Sequence, residues 1–415
     1  MRSGIEGISS FPTYSRRMGH ALNQEQVPGL DDGGATLLDW LARMRDEQPV
    51  WRDSSGSWHL FRHADVLRAI TDHSVFSSDQ SRAPGGVSYG RNLTTMDPPE
   101  HRALRKLVSQ AFSARTISRL APRIRELSEE LADGFAGRDT CDLVQDFAYP
   151  LPVIVIAELL GVPAADRELF RGWAHTLMSD VDDPTDPEFL ATFQETVGQT
   201  TGYLLEHCRD RRLHPRDDLL SMLVVAEVDG ARLPDDDIVT FAGLLLMSGH
   251  VTTTVLLGNA FRCLDEHPAA LAEVRADRAL IPGAVEEVLR HRSPFQYVKR
   301  VAVEPVELSG VTVPPDELVI PWLMSANRDE RAFPDPDRFD IHRVSNAHLA
   351  LGRGVHFCLG AQLARLETDI SLNVLFDRFA EFRLDLRPPM QAYGMSLFGL
   401  RNLPARLPKS NPLAA

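Results

Sequence analysis

The chain has 415 residues, 43% of them hydrophobic, and a formal net charge of −14 at pH 7. That is enough apolar material for one large core or two to three average domains, and the acidic balance argues against nucleic acid or an anionic membrane as a general partner. No uncharged apolar run of about 18 residues occurs, so no membrane insertion is expected, and four scattered cysteines fit a reducing compartment without a disulfide framework.

The polar first stretch, 1–32, lacks the apolar centre of a signal peptide. It reads as an N-terminal extension, with a single domain over 33–415 and a cytoplasmic location. Helical periodicity dominates the remainder of the chain. It predicts helices at 35–47, 63–72, 100–112, 116–135, 149–160, 164–179, 188–212, 218–226, 235–266, 268–276, 281–291 and 360–379. Several begin at Asp, Ser or Pro, which favour helix entry. Short strand-like runs fall at 50–53, 58–61, 298–303, 306–308, 311–313 and 318–322. The fold class is therefore mainly α, with a small β portion fed by both ends of the chain.

Four stretches carry chemistry. In Met96-Asp97-Pro98-Pro99-Glu100-His101-Arg102-Ala103-Leu104-Arg105-Lys106, proline opens a helix and the i, i+4 spacing puts His101 and Arg105 on one face. A solvated charged face is the plain alternative. In Ser248-Gly249-His250-Val251-Thr252-Thr253-Thr254, a glycine and β-branched threonines interrupt an apolar helix at a conformational cost. Threonine hydroxyls there can divert backbone bonds and open a bulge. His250 points about 100° from Val251 around the helix, which favours a structural or substrate-facing role. In Glu287-Val288-Leu289-Arg290, carboxylate and guanidinium share a face.

The fourth stretch is Leu351-Gly352-Arg353-Gly354-Val355-His356-Phe357-Cys358-Leu359-Gly360, with a helical pattern directly after it. A cysteine in a glycine-rich loop at a helix start meets backbone N–H groups that favour a thiolate, so a lowered thiol pKa is expected. Such a thiolate suits an axial haem-iron ligand, and the glycines Gly352, Gly354 and Gly360 let the backbone approach a flat macrocycle.

This loop resembles the haem-binding signature of the cytochrome P450 family, F-G-x-G-x-H-x-C-x-G, with Leu351 in place of the first aromatic. The resemblance covers about 50–407. It implies the P450 fold, a triangular helical body with a smaller β-rich lobe, and heme b (iron protoporphyrin IX) ligated by Cys358. It implies that His101, Arg105, Arg300 and His356 bind the propionates, and that a Glu287–Arg290–Arg338 network braces the loop. Gly249 and Thr252 fall in the family's oxygen groove, where Thr252, with Thr253, would support proton delivery during O2 activation. The usual acid of that motif is replaced by Val251, so water, a threonine or a substrate hydroxyl must carry the proton.

The same resemblance implies electrons from NAD(P)H through a reductase and a ferredoxin, docked near Arg102, Lys106 and Arg353. No fused flavin or nicotinamide domain is expected. Substrate contacts are expected from 80–93, with its glycine-rich part as a lid, and from 170–199, 242–249, 295–298 and 394–399. The segments 38–72, 97–112 and 244–259 are most similar to macrolide-tailoring members (erythromycin-type hydroxylases and tylosin- or rosamicin-type methyl oxidases), so a macrolide or polyketide substrate is expected. Two other classes stay open at this point: a haem-binding sensor or carrier, and a hydrolase using His356 with Cys358.

Overall fold

A computed structural model describes residues 27–86, 92–109, 111–177, 186–228, 231–394 and 396–407. Residues 1–26 of the expected extension, the centre of the expected lid and the 178–185 part of the expected substrate-contact segment 170–199 lie outside these residues.

The core is built around one helix, Asp235–Glu266, of 32 residues. Three aspartates at its start favour the positive helix end. Its middle is apolar nearly all round and buried, as a helix surrounded by protein must be. By length and composition it could span a membrane. Here it packs instead against Pro150–Leu160, Pro187–Leu213 and Ala361–Arg378. The largest apolar cluster joins these helices to Ala121–Asp133 and Ile281–His291.

The β-rich lobe is one five-stranded sheet in the order Val50–Arg52, Trp58–Leu60, Leu318–Pro321, Arg300–Ala302, Phe76–Ser77. Trp58–Leu60 runs parallel to Leu318–Pro321 and the other pairs are antiparallel. Segments 50–77 and 300–321 thus feed it, while the last strands of the described chain, Arg383–Leu384 and Pro404–Arg406, pair with Thr140–Asp142 in a separate sheet. Trp40, Phe61 and Trp322 pack edge-on and stacked beneath it.

Two expectations needed correction. The single helix expected at 116–135 is two, Ala114–Arg119 and Ala121–Asp133. Pro122 has no N–H to continue the first helix but suits the first turn of the second. The threonine run opens no bulge: the central helix is continuous through it. The hydroxyls of Ser248, Thr252, Thr253 and Thr254 each donate to the carbonyl four residues back, at 2.7, 2.8, 3.2 and 3.0 Å.

Candidate functional site: a cysteine loop facing the central helix across one cavity

A cavity of about 1330 Å³ lies between the central helix and the cysteine loop. That exceeds the roughly 300–1,000 Å³ of most small-molecule sites, so there is room for a flat prosthetic group and a large substrate together. Cys358, Gly352, His356, Gly360, Arg105, Arg300, Gly249, Thr252 and Thr253 all border it. Gly354 and His101 stand just behind this wall: the His101 ring lies 4.3 Å from that of His356.

The cysteine loop is shaped by Gly352 and Gly354, at φ +68° and +67°, a left-handed conformation that a side chain would strain. The Cys358 N–H donates to Leu351 O at 2.8 Å, closing the loop on itself. Gly360 caps the Ala361–Arg378 helix, and its N–H donates to the Cys358 sulfur. The expected drop in thiol pKa is not what the protein sets up by itself. Burial pushes the Cys358 thiol up; the Gly360 N–H and the guanidinium groups of Arg105 and Arg365 pull it down, but less. Burial raises the three other thiols too, those of Cys141, Cys208 and Cys263, and these sit inside the core.

The polar groups beside the cavity fit haem. His101 is 1% exposed, and neither of its ring nitrogens has a partner among the described residues. A buried imidazole costs free energy unless a ligand group bonds to it. Arg300 is likewise buried; among the described residues its Nη1 donates only to the carbonyl of Lys299, at 2.7 Å. Arg105 donates to Phe357 O at 2.6 Å, next to the cysteine. The donors needed for two carboxylates therefore stand in place, together with a sulfur on the same cavity.

His356 is held from two sides: Nε2 is 2.9 Å from Ser78 Oγ, and the ring also bonds the Leu93 carbonyl. Ser78 is itself positioned by Asp97, which accepts its N–H at 2.9 Å. With both ring nitrogens engaged, His356 is not a base for Cys358, which removes the hydrolase alternative. Ser78 carries no motif, and Asp97, though part of the 96–106 stretch, has no role of its own there; only the fold brings them to the loop.

The brace behind the loop differs from expectation in one member. Glu287 and Arg290 are fully buried and pair at 2.7 and 2.8 Å. Arg338 contributes its carbonyl to Arg290 Nη2, at 3.0 Å, while its side chain is exposed. The second guanidinium on Glu287 is that of Arg343, at 3.2 Å, joined by the Asp340 N–H at 2.9 Å. Turns between Pro334 and Arg343 fold the chain back on itself, so the later arginine reaches the carboxylate.

His250 is wholly buried and turns away from the cavity. Its Nδ1 lies 2.5 Å from Leu246 O and its ring meets Tyr149 edge-on. Burial lowers its pKa to about 4, so it is neutral near pH 7. Of its two expected roles, the structural one holds. Gly249 is explained by contact: a Cβ there would lie 3.1 Å from Ile156 Cδ1. Of the expected substrate segments, each contributes described lining residues, such as Gln80, Phe193, Ser248, Gln296 and Ser396. Val27–Asp31 also lines the cavity, a contribution with no sequence signal.

The fold, the cysteine loop and the buried Glu–Arg brace define a haem-thiolate protein, and the chain belongs to the cytochrome P450 family, whose model matches residues 50–407. It is 48% identical to erythromycin C-12 hydroxylase of Saccharopolyspora erythraea over 92% of this chain and 96% of that one. It is also 48% identical to cyclomarin C epoxidase CymV of Salinispora arenicola, over 85% and 91% respectively. The open structure of cytochrome P450 EryK from S. erythraea superposes with a TM-score of 0.87 at 46% identity, covering 94% of this chain and all of that one.

Proposed function

We propose that this cytochrome P450 is a ferredoxin-dependent monooxygenase that inserts one atom of O2 into a C–H bond of a macrolide antibiotic intermediate, in one step or in succession. One observation carries the reading: Cys358 and Thr252 border a single cavity large enough for haem and a macrolide together. Similarity to a relative named for erythromycin hydroxylation supports the substrate class.

When bound, haem b supplies the redox-active iron at which O2 is reduced with two electrons drawn from NAD(P)H through a reductase and ferredoxin. Cys358 gives that iron its sulfur ligand, and the Gly360 N–H with Arg105 and Arg365 offsets the burial of a thiolate. His101, Arg105 and Arg300 would hold the propionates; His356, expected among them, has its ring taken up by Ser78 and the Leu93 carbonyl and stands beside the set instead. Gly352 and Gly360 would let the loop backbone come close to the macrocycle, with Gly354 turning the loop behind them.

Thr252 handles the proton. Its hydroxyl hydrogen is committed to Ser248 O, which leaves an oxygen lone pair free to accept a hydrogen bond and hold a water on the cavity side. Thr253, which donates to Gly249 O, stands next to it. Val251 is buried and aliphatic and carries no proton, so water or a substrate hydroxyl at Thr252 completes the route. Arg102 and Lys106, both exposed, and Arg353 offer a positive docking face to an acidic ferredoxin in an otherwise acidic protein.

Turnover of the haem-loaded enzyme with a surrogate ferredoxin, its reductase and NADPH under isotopically labelled O2 tests this. A macrolide product carrying one labelled oxygen is expected; oxidation without label would overturn the reading.

A further inference from the structure

Charge along the cavity wall is uneven. Among the described lining residues the cations are Arg105, Lys299, Arg300 and Arg353, and Asp31 is the one carboxylate. Arg105 and Arg300 are assigned above to the propionates. Lys299 is left over, in a chain with lysine at only three of 44 basic positions.

Its direction is set by the backbone. The Val298 N–H donates to Pro321 O at 3.2 Å, and Arg300 begins the strand that pairs with Leu318–Pro321. Along such an extended run successive side chains face opposite ways. Lys299 therefore shares the side of Tyr297, whose ring meets that of Trp322 and packs against the same apolar cluster as Val27 and Leu30, and leaves Arg300 facing the other way. No carboxylate among the described residues pairs with it, and burial alone acts on its ammonium, pulling the pKa down. A partly dehydrated ammonium without a counter-charge is costly. A ligand that brings an oxyanion to it removes that cost.

We propose that Lys299 is an anion-recognition site in the substrate cavity, taking a carboxylate carried by an otherwise apolar substrate. The inference rests on the cavity being the substrate site, and it narrows the macrolide to one bearing an acid group. The same ammonium repels a cationic substrate placed there. The charge-assisted bond is of the kind worth about tenfold or more in affinity.

Optical titration of the haem-loaded enzyme with dodecanoate and with 1-dodecanol tests the site, in wild type and in Lys299→Met. Dodecanoate is expected to bind at least about tenfold more tightly than the alcohol to wild type, and equally with it to the variant, at unchanged haem content. Equal affinities in wild type, or a preference kept in Lys299→Met, would overturn the proposal. Loss of haem from the variant would assign Lys299 to a propionate and also overturn it. A neutral macrolactone, erythronolide B, separates the two readings. If it binds while carboxylate preference is absent, only the Lys299 site fails. If the preference holds while no macrolactone binds, only the macrolide reading fails.

Discussion

At the scale of single residues, the protein places a few polar groups where burial makes each expensive. His101 carries two unpaired ring nitrogens in a dry setting, and Cys358 a thiol whose ionisation burial opposes. Neither is at ease in the polypeptide alone, and a charged metal macrocycle would satisfy both. Thr252 and Thr253 both border the cavity, Thr254 is buried behind them, and Thr252 is the less buried of the two that face it. Thr252→Ala should therefore keep O2 consumption while product formed per NADPH falls by about tenfold or more, in line with the loss of a positioned proton carrier. Parallel measurement of NADPH use, peroxide and product checks this, and unchanged coupling would count against the role. These residues were readable in the sequence because their chemistry is local: a loop, a helix face, a spacing of four.

At the scale of elements, what matters is how helices and turns are clamped behind the site. The Glu287–Arg290 pair is buried at 0% exposure and is shared with Arg343. Removing one partner strands a buried charge, which costs about 3–5 kcal/mol. Arg343→Ala leaves Glu287 its Arg290 partner, so it should lower stability by about 1.5–3 kcal/mol, the range of a hydrogen bond to a charged group, and release haem on mild heating, while Arg338→Ala should stay within about 0.5 kcal/mol of wild type. Chemical denaturation with Soret absorbance as a second probe separates the two, and the reverse ranking would contradict the assignment. The motif pointed to Arg338 because spacing records position along the chain, whereas the turn from Pro334 to Arg343 decides which guanidinium arrives. Gly249 shows a related limit. It reads as an oxygen-groove glycine, yet its Cβ position lies 3.1 Å from Ile156 on the neighbouring helix. A double-mutant cycle of Gly249→Ala with Ile156→Ala should show a coupling of about 1 kcal/mol, since alanine lacks both close atoms, Cδ1 and Cγ1. Additive effects would mean the contact is not what keeps the glycine.

At the scale of the molecule, the division into a helical body and a β lobe was legible because long amphipathic and buried helices leave strong periodic patterns. Two-residue strands such as Phe76–Ser77 leave none, nor does the contribution of Val27–Asp31 to the cavity, which depends only on where the chain folds back. The buried histidines give the whole protein a shared pH response. His59, His250 and His291 all have pKa values lowered by burial, that of His250 to about 4. His59 also accepts from Trp322 Nε1 at 3.0 Å, which requires the neutral ring. Because the unfolded chain takes up these protons near its ordinary pKa of about 6.5, stability is intact above that pH and falls as the pH drops through it. Each such histidine contributes a slope of about 1.4 kcal/mol per pH unit. Urea midpoints measured from pH 7.5 down to pH 5 should decline steadily; a flat profile would place these side chains in contact with solvent.

The cavity, the brace and the proton route all presuppose sulfur on iron at position 358. Reduced, haem-loaded protein exposed to CO should show the strongly red-shifted Soret band of thiolate ligation, and Cys358→Ser should lose it while keeping a folded helical spectrum. A wild-type protein that binds haem without that band, or a Cys358→Ser variant that retains it, would contradict the assignment of Cys358.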